Sequence, residues 1–346
     1  MLSVWKNRRC PRSSRELHIV KQKTGVMMKS FSKILLMCSA CFLIAGCGEN
    51  SKKIKIGVSV PAASHGWTGG VVWNAQQEAK KIEAENPDVE VIVTTAQNTA
   101  EQVDRIENLG MRNVDALVVL SQEPGPLTEA CRKVKEKGAY LVIVSNPLSE
   151  PCQDIFVNGS NTSFGEASAD ALGQILNGKG EILVMEGIPC PINTDRITAF
   201  RKRLAEKYPG IKILESQAAY WNTEKGLALM ENYLQKYKKI DAVWAGDDDV
   251  LKGAVAAYKE SGRTDIKAIT GGGGSKDTVK KILDKDPIVR ATVTYPPNMV
   301  AVGMRLALKG LRAGGKTDPS EKEVIIPSEV VTPENAAKFY FPESVY

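Results

Sequence analysis

The chain has 346 residues and a formal net charge of +6, from 46 basic and 40 acidic residues. Residues 1–46 hold nine of the basic residues and one of the acidic ones, so the remaining 300 residues carry a net charge of −2. That balance removes any charge argument for nucleic acid or anionic lipid as a partner, and 300 residues are enough for two lobes of ordinary size.

An export signal is predicted between Lys29 and Cys47. A short basic segment precedes an apolar run of 13 residues, 34–46, which is too short to cross a bilayer comfortably. Residues 44–47, Ile-Ala-Gly-Cys, resemble a bacterial lipobox, which implies that Cys47 is lipidated at the start of an exported protein. Lipid alone then holds the protein at the outer face of the cell membrane or in the periplasm. The alternative interpretation of the apolar run 34–46 is a buried helix that happens to end in cysteine. Residues 1–26 are basic without apolar periodicity, and we interpret them as an over-long gene start.

After a polar tether at 47–53, apolar strands alternate with helices along the chain. Strands are predicted at 54–60, 89–94, 116–120, 140–144, 155–157, 181–185, 211–215, 241–244, 267–270 and 289–294. Helices are predicted at 65–83, 99–111, 127–137, 163–176, 192–207, 223–236, 250–261, 277–283 and 298–311. Apolar strands that alternate with helices indicate parallel sheets covered on both faces. The number of these units predicts an α/β fold with two doubly wound parallel-sheet lobes rather than one sheet.

Aromatic and basic residues stand in the loops where such sheets bind ligands, beyond the carboxyl ends of the strands. Trp67 and Trp221 each occupy one such loop, and their rings suit the C–H face of a sugar or polyol, with core packing as the alternative. Trp73 and Trp244 are predicted to pack in the core. Arg196 can donate to two oxygens at once, which suits vicinal hydroxyls or a carboxylate; a surface salt bridge is the alternative.

Three acids and a glycine run occupy two more of these loops. Asp247 is expected to face the ligand, with Asp248 or Asp249 capping the helix that follows. The spacing of the three acids lacks the alternation of a calcium-binding loop. Residues 271–274 lack the pattern of a phosphate-binding loop, so we expect these four glycines to form a tight turn close to a ligand. His65, the only histidine after residue 46, could act as a base or bind a ligand. No nucleophile elbow accompanies it, and an enzyme is not expected.

Three cysteines remain once Cys47 is lipidated. Cys131 lies in a predicted helix and Cys152 in the loop after the next strand, so these two could form a disulfide. With no CxxC motif and no His/Cys cluster, neither a metal site nor a cofactor is predicted.

The chain resembles the ribose-binding-like family of periplasmic sugar-binding proteins, the type I solute receptors of ABC transporters. Four segments carry the resemblance in the family's order and spacing: HGWTGGVVWNAQQEA, TTAQNTAEQVDRIENLGMRNVDALVV, AVWAGDDDVLKGAVAAYKESG and VTYPPNMVAVGMRLAL. It covers nearly all of residues 54–341 and implies two lobes that close on a ligand by hinge motion. The implied crossovers lie near 158–161, 295–297 and 326–331. The N-terminal lobe is predicted from 54–158 plus 296–326, and the C-terminal lobe from 159–295 plus 327–346.

The resemblance also implies ligand-binding positions, which are His65, Trp67, Ser145, Asn146, Arg196, Trp221, Asp247, Gly273 and Tyr295. Ser145 and Asn146 stand where many members have Asp-Arg, Gly273 stands where a sugar-binding Asp is usual, and Tyr295 where a crossover Gln often binds. These departures argue against plain ribose and for a different or bulkier sugar, or a polyol. Residues 151–153 and 327–341 are similar to a branch that binds a furanosyl quorum signal.

The leading functional hypothesis is a monomeric substrate-binding lipoprotein that captures a sugar or polyol for the permease subunits of an ABC importer. The alternative is a sensory receptor lipoprotein that presents a sugar or furanosyl quorum signal to a membrane sensor. A LacI-type repressor shares the core fold but needs an N-terminal helix-turn-helix, and residues 1–46 have none.

Overall fold

The computed structural model describes residues 53–346. The predicted signal peptide, Cys47 and nearly all of the tether lie outside the described residues. The strands are β1 Ile54–Pro61, β2 Val89–Ala96, β3 Ala116–Val119, β4 Tyr140–Val144, β5 Ile155–Gly159, β6 Lys179–Glu186, β7 Gly210–Ala218, β8 Ala242–Ala245, β9 Ala268–Thr270, β10 Thr292–Val293, β11 Glu323–Ile326 and β12 Val330–Val331. The helices are α1 Gly66–Glu85, α2 Thr99–Met111, α3 Pro124–Glu136, α4 Asn161–Ile175, α5 Pro191–Lys207, α6 Thr223–Lys236, α7 Asp248–Glu260, α8 Lys276–Leu283 and α9 Met299–Arg312.

The first sheet is parallel throughout and has the strand order β11-β5-β4-β3-β1-β2. Its central strands β3 and β4 are buried at every position, so both faces are covered by helices. Successive residues of β3 face opposite sides: Val118 joins the core that includes α1 and α9, whereas Leu117 and Val119 join the core of α2 and α3. The carboxyl ends of β1, β3 and β4 consequently open into loops along one edge of the sheet.

The second sheet is also parallel, in the order β7-β6-β8-β9. It continues beyond β9 through single bridges, Ile269 to Val289 and Gly273 to Thr294, and β10 pairs antiparallel with β12. Trp244 of β8 is fully buried and stacks on Phe200 of α5 with ring centroids 3.8 Å apart, which confirms its predicted place in the core.

The predicted α/β fold with two parallel sheets is confirmed, and α2, β4 and α6 have the predicted bounds. The strand predicted at 289–294 is wrong in length: only β10 forms, because its two residues pair with β12 while Val289 and Thr294 bridge toward the β9 side. The sequence analysis missed β11 and β12. β11 has four residues of alternating exposure at the sheet edge, and β12 has two, so neither shows a long apolar run.

Cys131 and Cys152 are free thiols in this structure, so the disulfide allowed by the sequence is not formed. Cys131 is fully buried among the apolar side chains of α2, α3, β3 and β4, and Cys152 packs against the same cluster. Burial raises the pKa of Cys131 to about 12, so this side chain acts as a small apolar group.

None of the helices in residues 53–346 combines the length and hydropathy that a bilayer span requires. Within the same range, no group of three or more His, Cys, Asp or Glu side chains is arranged to hold a metal ion.

Candidate functional site

Aromatic side chains from loops of both sheets contact one another at the carboxyl ends of the strands. His65 and Trp67 follow β1, and Trp221 follows β7 of the other sheet. The His65 ring lies 6.5 Å from the Trp67 ring and 6.3 Å from the Trp221 ring, measured between centroids. Trp67 in turn lies 5.8 Å from Tyr295, which follows β10. The fold thus brings four of the predicted site residues into one cluster.

Tyr295 is the centre of this cluster and is only 4% exposed. Its hydroxyl donates to Asn158 Oδ1 (3.1 Å) and lies 3.1 Å from Ser145 Oγ, while its carbonyl accepts from Trp67 Nε1 at 2.7 Å. Its ring packs against the backbone of Gly159, where a Cβ would lie 2.2 Å from a ring carbon. Tyr295 therefore joins two of the predicted crossovers, and its hydroxyl is already bonded to protein groups.

Arg196 is held between aromatic rings and is 8% exposed. Its guanidinium carbon lies 4.0 Å from the centre of the Phe164 ring and 4.4 Å from that of Tyr295, and Nε donates to Asn161 Oδ1 at 3.0 Å. Burial lowers the pKa of the guanidinium, which nevertheless stays charged in proteins. The surface salt bridge that was the alternative for Arg196 is not formed, and within the described residues only Nε has a protein acceptor. The two Nη groups remain as donors.

The side chains of the three consecutive acids accept hydrogen bonds from different sets of partners. Asp247 caps α7, since its Oδ1 accepts from the backbone N–H of Asp249 at 2.7 Å and of Val250 at 3.4 Å. The expectation that Asp248 or Asp249 makes this cap is therefore wrong. Asp247 stands in extended backbone just before the helix, which is the geometry a cap requires.

Asp248 and Asp249 reach further across the structure. Asp248 accepts from the Ser275 N–H at 2.6 Å and from the Thr292 hydroxyl at 2.8 Å, which joins the loops after β8 and β9 to β10. Asp249 Oδ2 accepts from the Gly66 N–H at 2.8 Å, which joins the start of α7 to the start of α1 on the other sheet. This second bond links elements of both sheets directly.

Burial, with the neighbouring charge of Asp249, raises the pKa of Asp247 to about 8. Burial likewise raises the pKa of Asp248 to about 7. The raised pKa favours the protonated form of Asp247, and a protonated carboxyl can donate a hydrogen bond as well as accept one. Burial also lowers the pKa of His65, against the opposing charge of Asp249, so its ring is neutral at pH 7.

Trp221 is positioned by an unusual backbone turn and by a glycine. Tyr220 and Trp221 both have positive φ values, of 58° and 52°. The indole lies over Gly187, where a Cβ would be 2.1 Å from Nε1. The turn thus places the Trp221 ring beside His65 rather than in the core of the second sheet.

Two further predicted ligand-binding residues, Gly273 and Asn146, contact other parts of the protein. Gly273 has a φ of 114°, consistent with the tight turn expected from the glycine run, and a Cβ there would lie 2.0 Å from the Tyr346 hydroxyl. Asn146 Nδ2 donates to the carbonyls of Ser121 (2.9 Å) and Gln122 (3.4 Å), so its amide supports the loop after β3. Ser145 stands just before it with a φ of 62°.

Trp73 is not the core residue that was expected. It is partly buried and lines a surface cavity of about 340 Å³ together with Pro296, Phe341 and Tyr346. The apolar spacing correctly predicted that Trp73 lies in a helix. The face of α1 that carries it contacts the segment that includes Phe341 and Tyr346.

Four further residues contact the cluster and were missed by sequence reasoning: Asn161, Phe164, Asp249 as a cross-sheet partner, and Tyr346. Asn161 and Phe164 follow β5, so the rule of strand carboxyl ends could have found them. Tyr346 shows no local signal, because it reaches the cluster only through the path of the folded chain. Seven buried side-chain polar atoms of the described residues have no protein hydrogen-bond partner, and two of them, the Tyr346 hydroxyl and His65 Nδ1, belong to the residues of this cluster. Buried polar groups are normally bonded, so these two atoms favour a polar ligand.

Fold and cluster together define a class of α/β binding protein, with parallel sheets whose loops meet at a shared site. The family model described as a periplasmic binding protein domain matches residues 56–316, and the chain belongs to this family. It is a family of solute-binding proteins, so the chain is a binding protein and not an enzyme.

Individual relatives agree with this assignment. The chain is similar to the ribose import binding protein of Bacillus subtilis, with 28% identity over 288 residues that cover 79% of this chain and 90% of that protein. It is similar to the D-xylose-binding periplasmic protein of Escherichia coli, with 26% identity covering 74% and 77%. A solute-binding protein of an ABC transporter from Bacillus halodurans, solved with bound myo-inositol, has the same type I fold at 24% identity, with a TM-score of 0.73 over 85% of this chain and 99% of that one.

Proposed function

We propose that this protein captures a sugar or polyol for an ABC importer, in a cleft lined by loops of both sheets. The observation that carries the proposal is the contact between His65 and Trp221, which brings a stacking surface from each sheet to one place. Arg196 adds fixed donors and Asp247 adds a neutral acid, both of which suit hydroxyl groups. Flat rings combined with a few placed polar groups are typical of sugar sites.

The ligand-binding residues are His65, Trp67, Ser145, Asn146, Arg196, Trp221, Asp247, Gly273 and Tyr295. Trp67 and Trp221 stack on the sugar, and Arg196 and Asp247 bond its hydroxyls. Ser145, Asn146 and Tyr295 act mainly by positioning, because their polar groups already have protein partners. Gly273 keeps the backbone close to the ligand.

Binding proceeds by hinge closure between lobes 54–158 plus 296–326 and 159–295 plus 327–346. The hydrogen bond from Gly66 to Asp249 is a contact that closure can form and opening can break, because it joins α1 to α7. A ligand held by both lobes stabilises the closed form, and the permease subunits of the importer recognise that form.

The protein acts outside the cytoplasm as a monomer, anchored by lipid on Cys47. The periplasmic binding protein relatives support export. The lipobox-like residues 44–47 support the anchor. We favour import over the sensory alternative because the relative from Bacillus subtilis is an import binding protein.

The test is a thermal-shift screen of the purified protein against D-ribose, D-xylose, D-allose, xylitol, myo-inositol and a furanosyl quorum signal. A ligand at about 100 to 1,000 times its dissociation constant adds roughly 2.7 to 4.1 kcal/mol, which moves the melting temperature by about 5 °C or more in a chain of this length.

The apparent affinity obtained from the shift in melting temperature should fall at least about tenfold in Arg196→Lys. Lysine has no planar guanidinium group that could donate two hydrogen bonds from between the two rings. Arg201→Lys is the matched control, since Arg201 lies on the same helix with an exposed side chain. Two results would count against the proposed cleft: no shift in melting temperature for the folded protein with any ligand, or a loss of affinity in Arg201→Lys equal to that in Arg196→Lys.

A further inference from the structure

We propose that Tyr346 is a specificity-determining residue of the sugar cleft, whose hydroxyl bonds a ligand hydroxyl on the side where Gly273 has no side chain. This inference rests on the proposed function. It concerns a residue at the far end of the chain from the other aromatic residues of the cleft, 279 positions from Trp67.

The ring of Tyr346 lies in a slot between elements of the two sheets and is 8% exposed. On one side, Cβ atoms added at Gly66 and Gly70 of α1 would lie 3.1 Å and 2.8 Å from Tyr346 atoms. On the other side, a Cβ at Gly273 would lie 2.0 Å from the hydroxyl. The ring fits because the residues facing it on both sides are glycines.

The segment that carries Tyr346 is attached to the second sheet. Lys276, at the start of α8, donates to the Ser344 carbonyl at 2.5 Å, and the Tyr346 N–H donates to Ser344 Oγ at 3.1 Å. The adjacent ring of Pro297 lies against Gly70 beside Tyr346. These contacts fix the direction of the side chain, so the hydroxyl is presented at a defined point.

The hydroxyl itself is buried and has no hydrogen-bond partner in the protein. Asp247 and Arg196, both proposed ligand residues, lie close enough to act on it electrostatically. Burial raises the pKa of Tyr346 well above its ordinary value, so the phenol stays neutral and can donate. A buried hydroxyl without a partner carries a desolvation cost, and a ligand oxygen in the cleft would remove that cost.

The arrangement selects for a ligand with a hydroxyl at the position facing Tyr346. A site built to bond a hydroxyl rejects an analogue that lacks it much more strongly than an apolar pocket rejects an extra one. The fixed ring also limits ligand size on this side of the cleft, because Gly66 and Gly70 leave it no room to retreat.

The test compares Tyr346→Phe with Tyr340→Phe by isothermal titration against D-ribose, D-xylose, D-allose, xylitol and myo-inositol. Tyr340 is a matched control, because it lies in the same segment and packs on the core of the second sheet. Tyr346→Phe keeps the ring, so its melting temperature without ligand should equal or exceed that of the unaltered protein. Its affinity for the best ligand of the panel should fall about tenfold or more, while Tyr340→Phe leaves affinity unchanged.

The outcomes separate this inference from the function on which it rests. If the unaltered protein binds none of the panel, the proposed function fails and the inference fails with it. If the unaltered protein binds and Tyr346→Phe binds equally well, only the inference is overturned. Tighter binding by Tyr346→Ala than by the unaltered protein would also overturn it, because the ring would then obstruct the cleft.

Discussion

Asp247 is a buried helix cap that we also propose as a ligand-binding residue. Its Oδ1 accepts from two backbone N–H groups in the first turn of α7, and burial with the neighbouring acids raises its pKa to about 8. A carboxyl that is neutral at pH 7 can donate to a sugar hydroxyl, which an ionised aspartate cannot do. In the proposed function, Oδ1 caps the helix and the second oxygen is the one that bonds the ligand.

The raised pKa of Asp247 predicts that stability falls as pH rises toward 8. The folded protein holds a proton that the unfolded chain loses near pH 4, so the stability from this group is present at low pH and is lost as pH rises through about 8. His65 acts in the opposite direction, but only below its ordinary pKa of 6.5.

The measurement is the free energy of unfolding in urea at about pH 6.5, 7.5 and 8.5. The unaltered protein should lose up to about 1.4 kcal/mol per pH unit from this group, and Asp247→Asn should show a smaller slope because asparagine keeps the cap without the proton. Equal slopes for the two proteins would show that Asp247 is ionised in the folded state throughout this range.

At the scale of elements, the carboxyl ends of β4 and β5 contact the Tyr295 side chain. Ser145 after β4, Asn158 in β5 and the bare backbone of Gly159 all face this one side chain. Two of the predicted crossovers are thereby in contact through Tyr295, and Arg196 packs on the same ring from the side of α5. The position of the proposed ligand arginine thus depends on the crossovers.

Gly159→Ala is expected to destabilise the fold by about 1 to 3 kcal/mol, because the added methyl would lie 2.2 Å from the ring of Tyr295. Gly125→Ala is the matched control: in α3 the nearest atom to its added methyl is 3.9 Å away, and alanine favours a helix. Urea unfolding of the two variants tests this. A loss in the control equal to that in Gly159→Ala would contradict the assigned close contact.

At the scale of the whole molecule, two hydrogen bonds join elements that are remote in sequence. The Gly66 N–H reaches Asp249 across 183 positions, and Trp67 reaches the Tyr295 carbonyl across 228. Both involve the first turn of α1, so the loop after β1 meets the second sheet and a crossover at once. We propose that these bonds strengthen when the lobes close on a ligand.

Asp249→Ala should therefore weaken sugar binding about three- to tenfold, since loss of one such bond costs roughly 0.5 to 1.5 kcal/mol in the closed form. Asp277→Ala is the control, because Asp277 is an exposed acid in the first turn of another helix. Titration gives the affinity, and small-angle X-ray scattering with and without ligand reports compaction. Unchanged affinity in Asp249→Ala would remove this bond from the closing mechanism.

Much of the fold and part of the site follow from local pattern. Apolar strands such as β3 and β4 must be covered on both faces, which leads to parallel sheets with helices between the strands. The rule that ligands lie at strand carboxyl ends points to His65, Trp67, Arg196 and Trp221 from the sequence alone. The same local reasoning assigned the cap of α7 to the wrong aspartate, since three adjacent acids are equivalent until the helix start is fixed.

The sequence by itself determined the parallel-sheet architecture, the loops that carry the site and the family resemblance, because each depends on periodicity or on segments read in order. Only the tertiary structure decided that Arg196 lies between Phe164 and Tyr295, that β11 pairs with β5, and that Tyr346 packs against glycines of α1 and of the loop after β9. These contacts join residues between 32 and 280 positions apart, and no local pattern encodes a partner at that distance. They form because burying rings and bonding polar groups favours one arrangement of the completed chain.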